Sequence, residues 1–142
     1  MEQLSPAYLS TLAVQVGSLS AFLGGFAATF LGTLLAIRSD SKAASLAIAF
    51  AVSASVAFIL TVVASTALVA MLHPEAPFAA SAAATGGARL LLALSFLLGL
   101  YTLLASLALS GWTRSRGTGI ITSLVAGIGL ALVTTLIAGG SL

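Results

Sequence analysis

Four stretches of this chain, residues 3–37, 43–74, 90–113 and 117–142, contain no Asp, Glu, Lys or Arg. Each is rich in Ala, Leu, Ile, Val and Phe, and each exceeds the about 20 residues that one helical crossing of a bilayer requires. Spanning strands would alternate apolar and polar residues over about ten positions. These runs are apolar on every face, so helices are expected. Charged residues make up 6% of the 142 residues and hydrophobic residues 60%, whereas soluble domains carry roughly 25% charged residues. Five basic and three acidic groups cannot solvate the surface of a water-soluble domain of this size. A soluble enzyme is excluded. Disorder is excluded too, since it needs low hydrophobicity and high charge. The basic residues form no patch for nucleic acid.

The expected fold is an all-α integral membrane protein: a single transmembrane domain over 1–142, with helices at about 8–37, 43–72, 90–112 and 119–138. Residues 73–88 form the one substantial loop, and its Ala/Ser run is a candidate short interfacial helix. The turn around Arg38–Lys42 and the Thr113–Thr118 segment are short, so spans one and two, and three and four, should be antiparallel neighbours. The first two spans exceed the hydrocarbon thickness and must tilt or project at their polar ends, Ser10–Thr11–Gln15 and Lys42–Ser45. Residues 1–7 hold no Lys or Arg, so a signal peptide is not expected.

Arg38, Lys42, Arg114 and Arg116 occupy two turns on one side, and Arg89 stands alone on the other. Basic residues in short loops favour the cytoplasm, so both termini are expected on the non-cytoplasmic side. Trp112 and Tyr8 lie where aromatic anchors sit at the two interfaces.

Helices in lipid associate through small residues that let backbones approach closely. The fourth span has such a row at Gly119, Ser123, Gly127, Ala131 and Thr135, and the second at Ala47, Ala51 and Ser55; both read as packing faces. They point to self-association or to packing against a larger membrane complex. The first span differs. Steps of three and four give Thr11, Gln15, Ser18, Phe22, Gly25, Thr29, Gly32 and Ala36, a stripe that gathers most of its polar side chains and its only amide. Polar groups in hydrocarbon need partners or water. The stripe therefore faces another helix, its hydroxyls bonded to their own backbone, or it lines a water-filled axis built from several copies.

No Asp, Glu, Lys, Arg or His lies inside a span, which argues against proton- or cation-coupled transport. There is no cysteine and no nucleophile paired with a base, so catalysis is not expected. His73-Pro74-Glu75 is an incomplete metal site that reads as a turn. Gly86-Gly87 reads as a loop break. No cofactor and no metal are expected; the expected partners are membrane lipid and further copies of the chain.

Residues Ser20–Ala27 (SAFLGGFA) resemble the SALLSGFA segment of the Orai family of four-helix calcium-channel subunits. Ile48–Ala51 (IAFA) and Ser65-Thr66 through His73-Pro74-Glu75 are similar to that family's second-helix IAFA and STCILPNIE stretches. Leu94–Leu100 (LSFLLGL), followed by Trp112, resembles its FSTLLGL…CW segment. The matches run collinearly over residues 18–112. The resemblance implies a homo-oligomeric channel whose first helix lines the pore at Ser18, Phe22, Gly25, Phe26, Thr29 and Thr33. Four of these lie on the polar stripe. This chain departs from the family in three respects: Thr33 stands where the family has its filter glutamate, the basic extension before the first helix is absent, and the basic turns favour the opposite orientation. Calcium selectivity is therefore not implied. The function expected is a non-enzymatic pore-forming subunit with the first helix, from Gln15 to Thr33, at the axis. The alternatives are an accessory subunit of a larger membrane complex, or a small uniporter or lipid-binding protein.

Overall fold

The computed structural model of the protein describes residues 5–37, 40–73 and 82–139. They form four helices, α1 (Pro6–Ala36), α2 (Lys42–Leu72), α3 (Ala82–Trp112) and α4 (Arg116–Gly139). Serines cap three of the starts. Ser5 Oγ accepts from the Tyr8 amide, Ser41 Oγ from the Ala44 amide, and Ser115 Oγ from the Thr118 amide at 3.1 Å. In each case the hydroxyl satisfies an amide that has no partner within the helix. Pro6 occupies the first helical position, where its missing N–H costs nothing.

All four helices are long and apolar enough to cross a membrane. At 31 residues each, α1 to α3 are about 46 Å long, against about 30 Å of hydrocarbon. Their outer faces carry exposed Leu, Ile, Val or Phe over several turns. A water-soluble monomer rarely shows apolar patches of that extent, and lipid is the solvent that suits them.

The start of α3 departs from the sequence expectation. It begins at Ala82 rather than near 90, so Gly86 and Gly87 lie inside the helix instead of breaking a loop. Their neighbours Ala82, Ala83, Ala84 and Ala88 are strong helix formers that outweigh two glycines at about 1 kcal/mol each. The remainder of the expected interfacial segment, residues 74–81, lies outside the described residues, as do Arg38, Pro74 and Glu75.

The chain divides into two compact units. The first comprises residues 1–26 and 55–99, the second residues 27–54 and 100–142. In the first unit α2 lies between α1 and α3, and Phe58 is the reason. It is fully buried, with Gly24 of α1 on one side and Gly99 of α3 on the other. A methyl at Gly24 would come within 3.2 Å of the Phe58 Cβ, and one at Gly99 within 2.9 Å of its ring. Phe96 meets the same ring edge-on at 6.3 Å, a favoured aromatic geometry. Further along, Gly17 admits the Ser65 hydroxyl into the space a side chain would fill. Thr61 donates to Ser95 Oγ at 2.9 Å, and Ser95 donates to the Leu91 carbonyl at 2.7 Å. The contacts pair rising numbers with falling ones, so neighbouring helices are antiparallel.

In the second unit Leu34 packs on Ala47 and Ala51, with Phe30, Leu31, Ile48 and Leu109 around them. The small residues on α2 bring α3 so close that Ser106 Oγ donates to the Ala47 carbonyl at 2.7 Å. On its other side α3 carries α4. Tyr101 and Thr134 share a hydrogen bond of 3.0 Å, Thr122 donates to the Ala108 carbonyl at 3.1 Å, and Trp112 Nε1 donates to Ser123 Oγ at 2.9 Å. The Trp112 ring covers Gly119 so closely that no side chain fits there. Each of these pairs is again antiparallel.

Candidate functional site

The polar face of α1 is the candidate site, and its position follows from what the opposite face does. Ala13, Gly17 and Ser20 are buried in the first unit and Ala27 and Leu34 in the second, with Gly24 and Leu31 half-buried between them. These seven residues alternate steps of four and three, the average repeat of 3.5 that keeps one stripe against a neighbouring helix. In the first unit all of them are Ala, Gly or Ser, and their smallness sets the close α1–α2 approach there.

The stripe predicted from polarity has the same alternation, offset by two residues, which at about 100° per residue places it on the far side. Gln15, Ser18, Phe22, Gly25 and Phe26 are all exposed in the first unit, and Thr29 and Thr33 in the second. Phe22 is 72% exposed and Phe26 46%, so Phe22 stands out furthest of the two rings. Thr33 donates to the Thr29 carbonyl at 3.1 Å, the self-satisfying arrangement available to a hydroxyl in a helix. Nearer the start, Ser10 and Thr11 donate likewise to the Ala7 carbonyl. Among the described residues, neither the Gln15 amide nor the Ser18 hydroxyl has a hydrogen-bond partner. From Ser18 to Thr33 the face covers about 22 Å of helix, most of the hydrocarbon thickness.

The two small-residue rows are placed differently. On α2, Ala47 and Ala51 are fully buried and Ser55 is half-buried. On α4, Gly119 is buried under Trp112 and Ser123 is half-buried, but Gly127, Ala131 and Thr135 are exposed. A row of strict fours advances about 40° past a full turn at every step. It leaves the contact after one turn. The residues that α4 turns toward α3 are Thr122, Ala126, Gly129 and Val133, all half-buried, in steps of four, three and four.

Two further packing rows carry sequence signals that polarity alone does not single out. On α3, Ser95 and Gly99 in the first unit and Thr102 and Ser106 in the second are all buried, again in steps of four, three and four. The α1 row from Ala13 to Leu34 is the other. The α3 row and the α1 row as far as Ala27 were findable by searching for small side chains at a 3.5-residue repeat.

His73 is exposed at the end of α2. Among the described residues no group of three His, Asp or Glu could hold a metal ion. The chain matches no family model, no curated protein and no solved structure.

Proposed function

We propose that the protein is a pore-forming subunit of a homo-oligomeric membrane channel, with the polar face of α1 turned to the axis. One observation carries this: the whole row from Gln15 to Thr33 is exposed, and its Gln15 amide and Ser18 hydroxyl have no partner among the described residues. A hydroxyl such as that of Ser18, left unpaired in an apolar medium, costs roughly 2–7 kcal/mol. A neighbouring copy or a water-filled axis removes that cost, and a lipid-facing position does not. The resemblance of Ser20–Ala27 to the pore helix of the Orai family agrees with the same face. With Thr33 at the filter position there is no ring of carboxylates, so the pore would not select divalent cations by charge.

The test is proximity between copies. The chain has no cysteine, so Phe22→Cys introduces a single thiol per subunit on the exposed face. Mild oxidation in membranes should give a disulfide-linked dimer for Phe22→Cys and none for Ser20→Cys, which is buried against α2. Equal cross-linking of both, or of neither, contradicts the arrangement.

An accessory role is favoured by a different observation, the exposure of Gly127, Ala131 and Thr135 on α4. A small-residue face of this kind suits a larger partner helix. In either role the basic turns would face the cytoplasm and the termini the opposite side. A cysteine replacing Asp40 should then stay unlabelled by an impermeant maleimide on intact cells, and labelling from outside reverses the orientation.

A further inference from the structure

The second unit holds a cleft of about 490 Å³ between the end of α1, the end of α3 and the first turns of α4. Its lining is amphiphilic. Phe30 and Leu34 form one wall, and Arg114 with Thr113 and Thr118 stands at the turn between α3 and α4. Trp112, next to that turn, is 46% exposed, an aromatic of the kind that sits at the level of lipid headgroups. Arg114 has no carboxylate partner among the described residues.

Three of the hydroxyls around it are already committed as donors. Thr113 donates to the Ser110 carbonyl, Ser110 to the Leu107 carbonyl and Thr122 to the Thr118 carbonyl, all within 3.0 Å. Their oxygens keep lone pairs and can only accept. The cleft therefore offers one cation, several acceptors and an apolar wall. An occupant that satisfies all three carries an anionic group, hydrogen-bond donors of its own, and a hydrocarbon tail.

We propose that the cleft binds an anionic phospholipid, its phosphate paired with the Arg114 guanidinium, its headgroup hydroxyls donated to the threonine and serine oxygens, and an acyl chain along Phe30 and Leu34. A guanidinium matches phosphate geometry closely. The site depends on the chain lying in a membrane but not on pore formation, and a lone subunit would bind lipid equally well.

The experiment is native mass spectrometry of the full chain, released from micelles containing equimolar dioleoyl phosphatidylglycerol and dioleoyl phosphatidylcholine. The wild type should retain one phosphatidylglycerol in preference to phosphatidylcholine. Arg114→Gln should lower that preference by about fivefold, the worth of one basic residue at an anionic membrane surface. Arg116→Gln, which replaces a basic residue outside the lining, should leave it unchanged. Helical content by circular dichroism confirms that each variant is folded. Equal preference in Arg114→Gln and wild type overturns the proposal, as does an equal loss in Arg116→Gln. Displacement of the lipid by millimolar inorganic phosphate would show a free-anion site instead and also overturn it. A purely monomeric particle that still prefers phosphatidylglycerol would leave the lipid site standing while contradicting the pore.

Discussion

Gly24 and Gly25 are adjacent in the chain and opposite in role. Gly24 exists to admit Phe58, whose Cβ would lie 3.2 Å from an added methyl, whereas a methyl at Gly25 meets nothing within 4 Å. Gly24→Leu should therefore force α1 off α2 and lower stability by about 1–3 kcal/mol, the usual cost of overpacking. Gly25→Leu should leave the melting temperature of the detergent-solubilised subunit unchanged or slightly raised, since leucine is the better helix former. Its bulk then falls on the face proposed for the axis, and conductance should disappear. Thermal melts and bilayer recordings on the pair separate folding from function. Loss of conductance together with loss of stability in Gly25→Leu would contradict the division between the two faces.

At the scale of the helix, α4 is the least enclosed element, with 11% of its spanning window buried against 33% for α2. Its hold on the rest of the second unit depends on a few polar pairs with α3 and on the Trp112 ring over Gly119. Interhelical hydrogen bonds of this kind average about 0.6 kcal/mol in membranes, so the ring contact matters as much as any one of them. Gly119→Val should displace Trp112, break its bond to Ser123 and change the emission of the chain's only tryptophan. Unchanged emission would mean that α4 docks by some other contact.

The number and order of the helices were legible from the charge-free runs, because a bilayer imposes one long apolar segment per crossing. The start of α3 was not, since the adjacent Gly86 and Gly87 read as a break, while the alanines around them carry the helix through. Polarity singled out the exposed face of α1 but left the packing face of Ala13, Gly17 and Ser20 unread, because in lipid the packing signal is smallness and not hydrophobicity. On α4 the strict step of four carries Gly127, Ala131 and Thr135 away from α3, because only a 3.5-residue repeat would follow that neighbour.

For the whole molecule, the proposed pore requires that α1 present one face to its own chain and the other to further copies around an axis. The absence of cysteine makes this directly testable, because any thiol introduced is the only one. Thr29 lies on the exposed face of α1, deep in the span. Thr29→Cys, purified and reconstituted in planar bilayers, should conduct ions like the wild type. A positively charged methanethiosulfonate reagent should then abolish most of that conductance while leaving the cysteine-free parent unaffected. Complete modification of the thiol with conductance unchanged, or no conductance from the parent at all, would contradict the placement of α1 at the axis of a pore.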